Sequence, residues 1–468
     1  MKNYLLSYVG IGLFTLLLSS CLPAQKQEAL FHGPLRVSKE NPRYFTDDKG
    51  GAVYLTGSHT WNNLVDMSLP DSLEKLDFIQ YLQWLKEYNH NFIRLWAWEL
   101  LNWDTHGISD EADIYQVAPH PWARTGPGQA LDGKPKFDLH QFNLVYFDRL
   151  KLRVKQAADK GIFVSIMLFE GWGLQYSHNA FESHPYHPDN NINGINGDSN
   201  NDGNGLEIHT LENREITAIQ KTYIKKVIDV VNEFDNVLYE ISNENHPPSS
   251  EWQYYMITFI KDYEKQLAKQ HPVGMTFQYK GGSNDVLMKS PADWISPNHE
   301  GGYRDNPPPS DGSKVIITDT DHLWGIGGNH SWVWKSFTRG LNPIFMDIYE
   351  TKVLTGKFEP GWVEPIRKSL GYTLMFANRM NLISMKPEPD LASSTYCIAD
   401  KGNEYLIYLP EGQQVVVNLE NVAGSFKVEW FDPGKGEILE SGSIDGGSKL
   451  TLTSPLDTSD VLLYLKAK

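Results

Sequence analysis

The chain has 468 residues, with 58 acidic against 42 basic side chains and a formal net charge of −16 at pH 7. That balance excludes nucleic acid as a partner, because gripping a phosphate backbone needs clustered cations, and it suits an exported protein. With only two cysteines, Cys21 and Cys397, a disulfide framework within the mature chain and a cysteine-based metal site are excluded as well.

Residues 1–21 read as an export signal. Lys2 gives a short basic start, Leu5 to Leu18 a mostly apolar core too short to span a bilayer, and Leu18-Ser-Ser-Cys21 the ending. The ending resembles a bacterial lipobox, which implies lipidation of Cys21. Leu22, in place of an Asp, favours the outer membrane. The lipid is the only membrane contact expected, and the mature chain is expected to be a monomer.

From about residue 50 apolar runs alternate with amphipathic segments, the pattern of βαβ units around a parallel sheet. The runs are Ala52–Gly57, Asn91–Glu99, Gly161–Trp172, Asn236–Glu244, Pro272–Gln278, Asp293–Glu300, Lys314–His322 and Asn342–Asp347. Helical spacing lies between them: Leu73, Leu76, Ile79, Leu82 and Leu85; residues near 141–160; Ile216, Ile219, Tyr223, Val227, Val231 and Phe234; about 250–270; and about 362–380. A long Pro- and Trp-containing stretch from Leu100 to about Asp138 is expected to be loop. Eight alternations predict a (β/α)8 TIM barrel over residues 22–388.

After about residue 390 the texture changes to short β runs separated by turn signals such as Pro410-Glu-Gly and Asp432-Pro-Gly-Lys-Gly436. Residues 389–468 are predicted to form a small β-sandwich that packs on the barrel and stabilises it.

The chemistry is expected where barrel strands end. Nearly every predicted strand ends in polar or aromatic side chains: His59 and Trp61; Arg94, Trp96, Trp98 and Glu99; Glu170 and Trp172; Asn243, Glu244 and His246; His299 and Glu300; Asp319, Asp321 and His322; Asp347 and Tyr349. The sequence shows no Gly-rich phosphate loop, no zinc spacing of the His-Glu-x-x-His type and no Gly-x-Ser-x-Gly elbow. What remains is a carboxylate-rich, Trp-lined rim. Glycoside hydrolysis needs that inventory: one carboxyl held protonated for the leaving group, another ionised to attack or to activate water. Aromatic residues make up 12% of the chain, with 14 Trp, and Trp61, Trp96, Trp98, Trp172 and Trp324 are candidates for sugar platforms. The rival reading is a non-catalytic glycan-binding lipoprotein on a degenerate barrel.

Ser242-Asn-Glu244 ending strand four, Arg94 on strand two, His299 on strand six and an acidic end to strand seven resemble the clan A retaining glycoside hydrolases, cellulase-like barrels. With Tyr405-Leu-Ile-Tyr-Leu-Pro410 and Trp430-Phe-Asp-Pro433, the chain also resembles Bacteroidetes-type lipoproteins whose C-terminal module is labelled a collagen-binding domain of a collagenase. The resemblance implies Glu244 as acid/base, Asn243 as its sugar-binding neighbour, Arg94 as the residue that orients the nucleophile, and His299 close to it. The chain departs from the family at the nucleophile. The family has a Glu at the tip of strand seven, whereas Thr318-Asp-Thr-Asp-His322 stands here. Asp319 is the first choice, Asp321 the second and Glu300 the third. Because Asp is shorter, the carboxyl gap decides between retention, at about 5 Å, and inversion, at about 6.5 Å or more.

No cofactor is required for this chemistry. In the insertion Asp189–Glu207, Asp198, Asn200 and Asp202 are spaced like the start of a calcium loop, although His209 stands where the closing Glu belongs. A structural Ca2+ there is the one metal the sequence admits.

Overall fold

The structure, a computed structural model, describes residues 29–70, 75–107, 113–349, 360–456 and 459–468. The export signal and Cys21 lie outside the described residues. Eight short strands build the barrel: β1 (Gly57–His59), β2 (Phe92–Leu95), β3 (Phe163–Glu170), β4 (Val237–Asn243), β5 (Val273–Thr276), β6 (Trp294–Ser296), β7 (Val315–Asp319) and β8 (Asn342–Met346). The hydrogen-bonded order is β2-β3-β4-β5-β6-β7-β8-β1, and each of these pairs is parallel.

The seam between β1 and β2 is held by Asn91. Its backbone N–H donates to the Thr56 carbonyl at 3.0 Å. Its side chain accepts from Thr56 N–H at 2.9 Å and donates to the Tyr54 carbonyl at 2.8 Å. Gly57 lets the strands approach this closely, since a Cβ there would lie 2.2 Å from the Phe92 carbonyl oxygen.

Period-two alternation explains where the site sits. Phe92, Leu238, Trp294, Ile317 and Ile344 form one buried apolar layer across the barrel. Two residues further along, the same strands present Arg94, Glu240, Ser296, Asp319 and Met346, and β1 adds His59. The interior therefore changes from apolar to ionic in one step of the pleat. Leu35 and Phe45 join the apolar layer. Phe45 belongs to, and Leu35 immediately precedes, a small antiparallel sheet of Arg36–Val37, Phe45–Thr46 and Ala52–Val53, which closes the barrel's N-terminal end.

The helices are α1 (Phe78–Glu87), α2 (Leu144–Ala158), α3 (Arg214–Val231), α4 (Ser250–Glu264), α5 (Asn284–Lys289), α6 (His330–Thr338) and α7 (Val363–Arg379). Asp77, Asn143, Asn213, Ser283 and Asn329 cap α1, α2, α3, α5 and α6 with side-chain oxygens on backbone N–H groups. The stretch expected to be loop, from Leu100 to Asp138, is instead rich in strand. Asn102–Asp104 and Ile114–Ala118 form a sheet with Asp66–Ser68, and Trp122–Gln129 pairs with Pro135–Phe142. Its polar and Pro-rich composition hid the pairing, because these strands lie outside the barrel core.

The C-terminal part is a sandwich. A six-stranded antiparallel sheet contains Cys397–Asp400, Glu404–Leu409, Ser425–Asp432, Glu437–Asp445 and Val461–Ala467, and a two-stranded sheet pairs Gln414–Asn418 with Lys449–Thr453. Glu404–Leu409 is buried on both faces. Tyr405, Ile407 and Leu409 enter the sandwich core, while Leu406 and Tyr408 pack on Trp334, Phe337 and Phe376 of α6 and α7.

Candidate active site

Arg94 is the hub of the ionic layer and is 1% exposed. Its Nε and Nη2 donate to the two oxygens of Glu240 at 2.9 and 2.5 Å. Nη2 also donates to Asn243 Oδ1 at 2.6 Å, and Nη1 to Asp319 at 2.8 Å and Asp321 at 3.2 Å. Every direction of the guanidinium fork is used, as burial of that charge demands. The Trp96 ring lies against it, 4.9 Å from the guanidinium carbon.

The strand-seven carboxylates have separate environments. Asp319 is fully buried. One oxygen accepts from His59 Nε2 and Arg94 at 2.8 Å each, and the other from the Asp321 N–H at 3.0 Å. His59 presents the Nε2 proton because its Nδ1 accepts from Trp96 Nε1 at 2.8 Å. Burial raises the Asp319 pKa, but His59 and Arg94 outweigh it and hold the carboxyl well below the usual range. As the N-cap of the short helix Thr320–Trp324, Asp319 is saturated and shielded. With its oxygens so engaged, the first choice from the sequence is the less available of the two strand-seven carboxylates.

Asp321 sits two residues further, in the first turn of that short helix, and retains 7% exposure. Arg94 Nη1 donates to its carboxylate at 3.2 Å. Burial and the Asp319 charge push its pKa up to about 7, while Arg94 pulls the other way. Glu244, at the tip of β4, is also 7% exposed. Burial, then the charges of Asp321 and Glu170, push its pKa well above the carboxylate range. Asp321 is the largest charge acting on Glu244, so the two titrate as a pair. Arg94 donates to Asp321, and the charge of Asp321 adds to burial in favouring the protonated form of Glu244. The two carboxyls thus differ in a desolvated site: Glu244 is pushed toward its neutral form, and Asp321 has the guanidinium beside it.

Asn243 and His322 complete the floor. His322 Nε2 meets Asn243 Oδ1 at 3.1 Å, and its Nδ1 meets Ser296 Oγ at 2.6 Å. Burial lowers the His322 pKa to about 3, which keeps it neutral. With Oδ1 held by Arg94 and His322, the amide N–H groups of Asn243 are what it can offer a sugar hydroxyl. Asp319, Asp321 and His322 bring ligand atoms within 4.8 Å of one another. Asp319 already has both oxygens taken by His59, Arg94 and backbone, so the set does not fit a metal ion.

The remaining candidates divide by position. Glu170 ends β3 and accepts the N–H groups of Trp172 and Gly173 at 2.8 Å each. Burial pushes its pKa up to about 8, with the charges of Glu99 and Asp321 adding to the effect. Glu99 turns away to His209 at 3.0 Å and His184 at 3.5 Å, and His246 bonds the Leu206 carbonyl at 2.8 Å; both brace the insertion. Trp61, Trp96 and Trp98 are buried and form an aromatic cluster beneath the rim. Trp172 is half-buried and stacks on Tyr176 at 4.6 Å. Trp324, also half-buried, packs edge-on against Trp332.

Three groups of candidates are not part of this cluster. His299 and Glu300 are exposed beyond β6, which stops at Ser296 before Pro297, and Glu300 accepts the Asn284 N–H. Asp347 faces Arg367 of α7 in a two-point ion pair at 2.6 and 2.7 Å, behind the barrel wall. In the insertion, Asp198 accepts the N–H groups of Asp202 and Gly203, Asn200 Oδ1 that of Asp202, and Asp202 that of Asn204. The sequence reading missed Glu240 and Ser296, which join the ionic layer, and Tyr176, which stacks on Trp172 and meets Tyr279 edge-on at 6.4 Å. Only Glu240 carried a signal, as a lone ionisable residue inside an apolar run.

Residues 111–291, which include Glu170 and Glu244, match the model of a domain of unknown function, DUF6298. Residues 384–466 match the "Putative collagen-binding domain of a collagenase". No curated protein matches the chain in sequence. Among solved structures, a family 5 glycoside hydrolase from Bacteroides vulgatus aligns with a TM-score of 0.62 at 11% identity, covering 93% of this chain and 94% of that one. A second structure, described as a glycoside hydrolase, aligns at 0.59 with 13% identity, covering 93% and 97%. A third, described as a "putative glycoside hydrolase from Bacteroides vulgatus", gives 0.59 at 13% identity, over 96% and 84%. The shared feature is the fold, a TIM-like barrel with C-terminal β sheets.

Proposed function

We propose that the protein is a glycoside hydrolase that cleaves O-glycosidic bonds in an oligo- or polysaccharide. The observation that carries this reading is the unequal carboxyl pair in one desolvated barrel mouth, Glu244 pushed toward its neutral form by burial and neighbouring carboxylates and Asp321 hydrogen-bonded to Arg94. Glu244 protonates the departing oxygen. Asp321 attacks the anomeric carbon, and Glu244 then takes a proton from the water that releases the sugar, so the anomeric configuration is retained. Asn243 holds a substrate hydroxyl, and half-buried Trp172 and Tyr279 offer ring faces near the acid. No metal enters any step.

The same proposal places the protein outside the cytoplasm, held to the outer membrane through Cys21. That part is supported by the Leu18-Ser-Ser-Cys21 ending. The sandwich serves as a brace, in keeping with its burial against α6 and α7.

The test is sugar release by the purified protein from a broad panel of plant and microbial glycans, with Glu244→Gln beside it. Release is expected from the wild type and a loss of roughly 10²- to 10⁴-fold in the variant. Aryl glycosides with good leaving groups, which need little acid help, should lose less, and the alkaline limb of the pH profile should vanish with them. Release that survives the substitution on every substrate would sink the acid assignment. A wild type that releases no sugar from the panel counts for the glycan-binding rival.

A further inference from the structure

The backbone at Glu244 has φ +42°, in the left-handed region that residues with a Cβ seldom adopt. Such a conformation persists only where its surroundings over-determine it. Here the surroundings are the segment that follows β3. The Gln175 side-chain amide donates to the Glu244 carbonyl at 2.9 Å and to the Gly171 carbonyl at 3.0 Å. The Gly171 N–H donates to the Asn243 carbonyl at 3.0 Å, so the chain is gripped at the acid and at the residue before it. The residue after it is gripped by contact, because a Cβ on Gly171 would fall 2.4 Å from Asn245 Cγ and 2.6 Å from its Cα. The bracket is itself pinned. Glu170 takes the N–H groups of Trp172 and Gly173, and Lys280 Nζ reaches the Gln175 carbonyl at 3.3 Å.

From these contacts we infer that Gln175 is a positioning residue for Glu244, holding the acid's backbone in the left-handed region and thereby fixing where its carboxyl stands. The inference rests on the hydrolase reading of the same site. Gln175 touches no reacting atom; it acts through one carbonyl. The short helix Trp172–Tyr176 carries the half-buried Trp172 ring on its first residue and the bracket's amide on its fourth, so one element sets both a ring surface and the acid.

Gln175→Met keeps the side-chain length and removes the donor. On a glycan that the wild type cleaves, kcat should fall roughly 10- to 100-fold while KM stays within about twofold, as expected when a reacting group is misplaced without loss of binding. The melting temperature should stay at the wild-type value, and the alkaline limb of the pH profile should move. A crystal structure of the variant supplies a readout independent of activity, with Glu244 expected at negative φ. A wild-type kcat in the variant overturns the inference. So does a variant structure in which Glu244 keeps φ near +42°, or a loss of activity matched by a loss of melting temperature. A wild-type protein that cleaves no glycan overturns the hydrolase reading instead, and the backbone of the variant still decides the role of Gln175.

Discussion

Asp321→Asn is expected to lower turnover by about 10³- to 10⁴-fold and, at neutral pH, to raise the melting temperature. The two effects share one cause. Asp321 is ionised in a site that burial and the Asp319 charge make unfavourable for ionisation, so its pKa stands at about 7, against an ordinary carboxyl value near 4 in the unfolded chain. A group whose folded pKa is the higher one keeps its proton longer in the native state. Stability therefore falls as pH rises from about 4 through about 7 and stays reduced above it. Asn is neutral throughout. The gain should be full above pH 7, on the order of 4 kcal/mol, and absent below about pH 4. Calorimetry of wild type and variant at pH 4 and pH 8 reads it directly. A variant less stable than wild type at pH 8 would mean that attraction to Arg94 outweighs desolvation, and the ionised carboxyl would then not be a strained one.

Removal of the hub should act in the opposite direction. Arg94→Met leaves Glu240, Asp319 and Asp321 in the barrel interior without the cation that each of them contacts. Breaking a buried ion pair by removing one partner costs about 3–5 kcal/mol, and Arg94 serves three carboxylates. Loss of soluble protein, or a melting temperature lower by many degrees, is expected. Arg94→Lys should recover little, because an ammonium cannot bond Glu240 with two donors while reaching Asp319 and Asn243. Arg94→Met with Glu240→Leu should recover part of the stability, since the most tightly paired carboxylate leaves with its partner, and should remain inactive. Denaturation curves of the three variants check this. If the double variant is no more stable than Arg94→Met, the Arg94–Glu240 pair is not the main electrostatic element of the layer.

The barrel was legible because its evidence is repetition. Eight apolar runs, seven of them with polar or aromatic tips, specify both the strands and the rim, and Arg94, Asn243, Glu244, Asp321 and His322 were all named from their place at a strand end. What period-two alternation cannot do is choose between Asp319 and Asp321, which two-residue spacing puts on the same face. The strand ends at Asp319 because that side chain caps the helix behind it, and only three-dimensional neighbours reveal that His59 and Arg94 have already taken its oxygens. Asp347 was misplaced for a similar reason, since its partner Arg367 is twenty positions away on a helix with its own periodicity. Glu240 was the converse case, an ionisable residue visible inside a strand whose partner, Arg94, lies far off in sequence. Gln175 had no legible signal. Its role depends on a carbonyl made accessible by the backbone turn at Glu244, and a side-chain pattern does not encode that turn.

The assignment of Asp321 as nucleophile and Glu244 as acid is tested most directly by azide rescue on an aryl glycoside of the sugar that the protein releases. Asp321→Gly should be slow in water and recover with azide, giving the glycosyl azide of inverted configuration, because azide then attacks the anomeric carbon in place of the carboxylate. Glu244→Gly should recover with azide to give the azide of retained configuration, because the glycosyl-enzyme on Asp321 still forms. Retained product from the Asp321 variant, or hydrolysis by it at the wild-type rate, would contradict the account and move the attacking carboxylate elsewhere in the site.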